Sequence, residues 1–361
     1  MSIRFTEAQW QARKRDAEAW WQGRLDRPLV PLWVHRPDPS RPAPAQPFRH
    51  WTCGYGPEVS AEQIVDSWEA QLSSFDFRAD AFPYVFSNFG PGVLAAFLGC
   101  KADFDGNTVW FHPAQDRVLA ELTPRVDWQH PWLGRIADLT RSAAARWQGN
   151  VIVSFTDLGG NLDILASFRP SEQLLLDLYD CPEQVERVLW EAHETWWQCY
   201  EHFDRLSPAR PGTTSWAGIY SPGRTYMLQC DFCYMISPQM FDRFVKPELA
   251  ATCKRLDHAF YHLDGVGELP HLDSLLEIPE LHGVQWVPGA GQKPPHEWPE
   301  VYARILKAGK LAQFIGDDLQ GLRRLVDRLG TAKGFVLGTQ GIATTQVDET
   351  ARLLEQLGVP L

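Results

Sequence analysis

The stretch Tyr261-His262-Leu263-Asp264-Gly265-Val266-Gly267-Glu268 decides how the chain is read. An apolar strand over residues 260–263 runs into a loop broken by Gly265 and Gly267, and a helix begins near Leu269. Alternate side chains of a strand share a face, so His262 and Asp264 point the same way at the strand's carboxyl end. A proton carrier and a carboxylate therefore meet where the strand opens into a loop. In a parallel α/β sheet or barrel this is the end at which ligands bind.

Working outward, Ser237-Pro238 opens the preceding helix, with Ser as N-cap and Pro at the first helical position. On the far side, strands expected at 283–287, 311–315 and 334–337 alternate with helices at 299–308, 319–329 and a last one running through Leu357. Nearer the start, strands are expected at 29–34, 82–87, 151–155 and 213–217, and helices at 6–21, 61–75, 132–148 and 182–203. In the last of these, Val185, Val188, Leu189, Ala192, Trp196, Cys199 and Phe203 recur at three and four residues and mark one apolar helix face. Pro37, Pro39, Pro42, Pro44 and Pro47 make 36–47 a loop. Residues 101–113 alternate around Asp105-Gly106, which is a hairpin signal. Eight strands alternating with helices imply a parallel sheet of the α/β class, closed as a single (β/α)8 TIM barrel over 1–361. It carries an N-terminal helical extension (1–28) and a hairpin insertion (100–126).

The 361 residues are 44% hydrophobic, enough for a large core. A net charge of −11 without a local basic stripe argues against nucleic acid as a partner. No apolar run reaches bilayer length and residues 1–15 are charged, so a cytoplasmic protein without a membrane partner is expected. Seven irregularly spaced cysteines are read as reduced thiols. Of sixteen tryptophans, Trp110, Trp216, Trp286 and Trp298 fall in or beside strands and loops, where rings can line a pocket for sugars, aromatic groups or methylated cations. The chain has no P-loop, dinucleotide fingerprint or Gly-x-Ser-x-Gly, so no nucleotide cofactor is expected.

Three segments carry a family resemblance: Ser237-Pro238-Gln239-Met240-Phe241-Asp242-Arg243-Phe244-Val245-Lys246-Pro247, the strand end His262 to Gly265, and the tail Phe335-Val336-Leu337-Gly338-Thr339-Gln340-Gly341-Ile342. Together they resemble the uroporphyrinogen decarboxylase superfamily across residues 80–357. That superfamily includes corrinoid-linked methyltransferases, and the flavour nearest to this chain is the trimethylamine corrinoid protein-like set. The resemblance implies a (β/α)8 barrel, a small-molecule substrate, a corrinoid protein as partner and pairing as a homodimer. The decarboxylase pattern is altered: Thr339-Gln340-Gly341-Ile342 has Gln where decarboxylases have His, the N-terminal arginine motif is missing from 29–36, and Ser87-Asn88 replaces an acid. Porphyrinogen decarboxylation is thus a second alternative only. The methyltransferase branch holds zinc with His-x-Cys, which here reads His262-x-Asp264, and Gln285 stands where methionine synthase relatives present a ligating Glu.

Two chemistries remain open. In metal-assisted methyl or one-carbon transfer, His262, Asp264 and Cys230 of Cys230-Asp231-Phe232-Cys233 hold zinc, while Trp216, Tyr220 and Trp286 shape the substrate pocket. In the alternative, a carbohydrate- or polyol-active enzyme such as a glycosidase, Asp231, Asp264 and Glu268 supply acid and base and Gln285 and Gln340 bind hydroxyls.

Overall fold

The computed structural model describes residues 3–361 except Asp116 and Ala209. Met1 and Ser2 of the expected extension and Asp116 of the expected insertion lie outside the described residues. Twelve strands are present among them: β1 (Pro31–His35), β2 (Phe75–Ala79), β3 (Tyr84–Phe86), β4 (Lys101–Phe104), β5 (Val109–His112), β6 (Ile152–Ser154), β7 (Thr225–Gln229), β8 (His258–Asp264), β9 (Gly283–Val287), β10 (Leu311–Phe314), β11 (Phe335–Leu337) and β12 (Gln340–Ala343).

Strand β8 buries Ala259, Tyr261 and Leu263 on one face, while on the other Phe260 is buried and His258, His262 and Asp264 are partly exposed. It pairs in parallel with β7 on one side and β9 on the other, and β10 and β11 extend the same sheet in the order β11-β10-β9-β8-β7. The register sets His262 beside Gln229 of β7 and Gln285 of β9. A parallel bridge between Leu29 and Val336 leads from β11 to β1, which pairs in parallel with β12 and antiparallel with β2. The parallel pair β3 and β6 and the antiparallel hairpin of β4 and β5 complete the strands. The fold is therefore α/β with a five-stranded parallel sheet at its centre. No helix of the described residues is long and apolar enough to cross a membrane.

One expected strand is in the wrong place. Residues 213–217 form no strand and contribute a single bridge from Thr213 to Ser221. The strand that pairs with β8 is β7, in a span assigned neither strand nor helix from the sequence, and each of its five residues is buried. The sequence signal pointed elsewhere because the β-rich Thr213-Thr214-Ser215-Trp216 precedes Gly218, whose φ of +71° turns the chain. The helices Asn161–Phe168 and Ser171–Asp180, and strands β2 and β12, were likewise not anticipated.

The first helix, Glu7–Trp21, is started by a capping box between Thr6 and Gln9. It ends in two indoles that close the amino-terminal end of the sheet. Trp20 donates to the Phe335 carbonyl at 2.9 Å and stacks on Phe260, while Trp21 donates to the Tyr220 carbonyl at 3.0 Å and stacks on His258. Beside them, buried Asp80 accepts from both Arg27 terminal nitrogens (2.7 and 3.0 Å), from Arg13 (3.2 Å) and from the Val30 amide (2.8 Å). Removing one member of such a set strands the others, so Asp80→Ala is expected to cost about 3–5 kcal/mol in urea unfolding. A loss under about 1 kcal/mol, the scale of an exposed pair, would show that this anchor is dispensable.

Candidate functional site at the carboxyl ends of the strands

With the amino-terminal end stopped by tryptophan, the opposite end is open. A cavity of about 330 Å³ is lined there by Asn88 beyond β3, Asp157 beyond β6, Gln229 and Asp231 at the end of β7, His262 of β8, and Trp216. It joins a longer cleft of about 630 Å³ between the β4–β5 hairpin and the helix Asn161–Phe168; the two share Pro91, Thr108, Gln229 and Asp231. Neither is lined by Lys or Arg. The mouth therefore favours cations or neutral polar groups over anions.

The two-residue period of β8 brings His262 Nε2 to 3.7 Å from Asp264 Oδ2. Asp231, first residue of a short 3-10 turn after β7, supplies a third group, and one ligand atom from each of the three lies within 4.8 Å of the others. Behind the imidazole, Nδ1 is hydrogen-bonded to Gln285 Oε1, and the Trp216 ring meets it edge-on at 5.1 Å. Burial draws the His262 pKa down, but the Asp264 and Asp231 carboxylates outweigh it and leave the imidazole more basic than usual.

Carboxyl groups crowd the floor. Burial and the charge of Asp231 push Asp157 up to about 7, although Gly159 N–H donates to its Oδ1 at 2.9 Å. Here the backbone is very close: a Cβ on Gly159, which has φ +81°, would lie 2.5 Å from the Cα of Gly92. Asp163 accepts from the amides of Asp231 (3.1 Å) and Phe232 (2.8 Å), which ties the 3-10 turn to the helix Asn161–Phe168. Burial and Asp231 raise it to about 8. Asp231 is itself raised by desolvation, with His262 pulling the other way. Glu268, 1% exposed, is pushed by burial to about 10; its Oε2 lies 3.5 Å from the Tyr261 hydroxyl, and its Oε1 has no hydrogen-bond partner among the described residues.

The structure gathers His262, Asp264, Asp231, Gln285 and Trp216, and it separates the rest. Cys230 does not join His262 and Asp264. It is buried, and that burial, with Cys233 beside it, holds its pKa well above the ordinary value, so Asp231 stands in its place. Alternation along β7 explains this, since Gln229 faces the cavity and Cys230 faces the packed side. Trp286 is fully buried against Trp298, on the face of β9 opposite Gln285. Tyr220 belongs to the amino-terminal plug, with its ring against Trp10 and Phe82 and its hydroxyl on the Pro211 carbonyl. Gln340 bonds the Gly338 carbonyl and lines neither cleft. Glu268 lies behind the cavity wall, not on it.

Asp157 and Asp163 were missed. The first had a signal, an acid in the loop after an apolar strand; the second lies on a helix that the sequence did not reveal. Gln313, which joins Gln285 through a 2.6 Å hydrogen bond, was hidden as a polar residue inside a buried strand.

A parallel α/β fold with its polar groups at the strands' carboxyl ends defines a broad class of ligand-binding proteins. No family model and no curated protein matches the chain. Among solved structures, it is similar to a methyltransferase from Methanosarcina mazei, with 12% identity, a TM-score of 0.60, and coverage of 96% of this chain and 97% of that one. At that identity the likeness establishes a common fold, not a common activity.

The Glu268 carboxyl provides a test of the electrostatics. Its ordinary pKa is 4.5 and its folded value about 10, so between them the native state binds a proton that the unfolded chain releases. Stability must then fall as pH rises through that window. Glu268→Gln removes the ionisation at nearly constant shape. Its melting temperature is expected to gain on wild type steadily from about pH 5 to about pH 9; a gap independent of pH would refute the assignment.

Proposed function

We propose that the protein is an enzyme of methyl or one-carbon transfer, working in the carboxyl-end cavity of a closed (β/α)8 barrel of the uroporphyrinogen decarboxylase-like type. In this reading Asp231, His262 and Asp264 hold a zinc ion, and a corrinoid protein is the methyl partner. The observation that carries it is the convergence of these three groups within 4.8 Å at the ends of adjacent strands. The donor set fits the ion. Three protein ligands and an open fourth position are the composition of a catalytic zinc site, and the 3.7 Å between His262 and Asp264 is near the roughly 3.3 Å ligand spacing of a tetrahedral site with bonds of about 2.0–2.1 Å. A zinc ion there supplies acidity to a bound thiol, which becomes a nucleophile at neutral pH.

The chain's own residues do the remainder. Trp216 and Trp51 wall the cavity and offer ring faces to a substrate. Asp157, its carboxyl near 7, takes up or returns a proton at neutral pH. The common fold with the Methanosarcina mazei methyltransferase supports the reading. A mouth without Lys or Arg weighs against porphyrinogen decarboxylation, whose four-acid substrate needs cations.

The carbohydrate reading keeps one observation in its favour: several carboxyls of different acidity share the site without a thiolate ligand. Metal content separates the two. Protein purified without chelator is expected to hold about one zinc per chain, lost in His262→Ala and in Asp231→Asn/Asp264→Asn. Wild type free of metal, yet cleaving aryl glycosides at a rate that His262→Ala leaves intact, would replace methyl transfer with glycoside chemistry.

A further inference from the structure

Behind His262 the hydrogen bonds continue through two buried amides to a carbonyl. Gln285 Oε1 meets His262 Nδ1, Gln285 Nε2 lies 2.6 Å from Gln313 Oε1, and Gln313 Nε2 lies 2.8 Å from the Ala217 carbonyl oxygen. Gln285 and Gln313 are at most 1% exposed and Ala217 is 7% exposed.

The Ala217 carbonyl carries no proton and can only accept. The group facing it must therefore be the amide nitrogen of Gln313, which turns Oε1 of Gln313 toward Gln285. That oxygen needs a donor, so Gln285 presents its own nitrogen there and its oxygen to His262. An oxygen facing Nδ1 requires a proton on Nδ1. The orientation of both amides thus follows from one backbone oxygen, without any need to tell amide N from O directly. Reversing the ring tautomer would flip both amides and set two unprotonated oxygens against each other at Ala217, which costs the desolvation of both.

We propose that Gln313 and Gln285 are positioning residues that lock neutral His262 as the Nδ1–H tautomer, turning the Nε2 lone pair toward Asp264 and the cavity. The value of that lone pair as a ligand rests on the metal-site reading above. The relay starts in the loop that carries Trp216. Ala217 follows the ring that meets His262 edge-on, and precedes Gly218, where a Cβ would lie 2.7 Å from the Tyr84 hydroxyl. The Ser215 carbonyl accepts from Gly218 N–H at 3.1 Å, and Thr214 Oγ1 donates to the Ile219 carbonyl at 2.8 Å, which seats the turn. The same loop that offers Trp216 to the substrate therefore sets the proton on His262.

The experiment records the imidazole nitrogen resonances of metal-free protein at alkaline pH, with His262 assigned by difference from His262→Ala, and titrates each protein with zinc alone. Wild type is expected to show a protonated Nδ1 and a bare Nε2. Gln313→Leu is expected to admit the other tautomer and to weaken zinc binding about 10- to 100-fold, the usual scale for groups that orient a ligand. Gly218→Ala, which strains the positive-φ turn next to the Ala217 carbonyl and leaves both glutamines in place, is expected to do the same, with circular dichroism reporting that both variants are folded. A wild-type ring protonated on Nε2, or folded variants with unchanged ring and zinc affinity, would overturn the relay. The two readings fail separately: an Nε2–H ring with zinc bound removes the relay alone, whereas an Nδ1–H ring without zinc affinity sustains the relay and removes the metal.

Discussion

A parallel sheet has two chemically different ends, and in this protein the indoles of Trp20 and Trp21 stop one of them. Their N–H groups occupy carbonyls of Phe335 and Tyr220, and their rings cover Phe260 and His258 where β8 begins. The arrangement uses large apolar surfaces with one polar tip each, and both tips are satisfied. Asp80 and its two arginines pin the neighbouring backbone in the same layer. Polar side chains that end strands β6 to β10 are left with a single open side, and that is where Asp157, Asp231, His262 and Asp264 lie.

Legibility of the sequence followed local rules. The spans of β8 to β11 were readable because short apolar runs ended in glycine-rich loops, and the N-cap Ser237 was readable from residue type alone. Strand β7 was not, because Thr225-Tyr226-Met227-Leu228-Gln229 has no polar alternation and follows a proline–glycine turn that resembles an extended loop. Within the site, His262 and Asp264 were fixed by strand period. The same period, once β7 is located, assigns Gln229 inward and Cys230 outward, and on β9 it separates Gln285 from Trp286. Cys230, Trp286 and Tyr220 have the residue types a site would use, but residue type does not tell which face a side chain takes. Gln313 had no sequence signal, since one amide in a buried strand acquires meaning only from the carbonyl that it reaches.

The site also concentrates acids that oppose one another. Asp157, Asp163 and Glu268 all ionise with more difficulty than in water, each through burial first and neighbouring carboxylates second. Asp163 and Glu268 therefore hold their protons at neutral pH, and this end of the sheet carries less negative charge than its number of acids suggests.

The near contact of Gly159 with Gly92 has a consequence for how the chain can change over evolutionary time. Both positions have positive φ, and a side chain on Gly159 would strike the backbone of Gly92, so substitution on one strand-end loop cannot be relieved by a smaller residue on the other. The two loops are therefore inherited as a pair. Invariance at these glycines among descendants of a common ancestor would record the closeness of two backbones beneath Asp157, and would persist in lineages whose substrates have diverged.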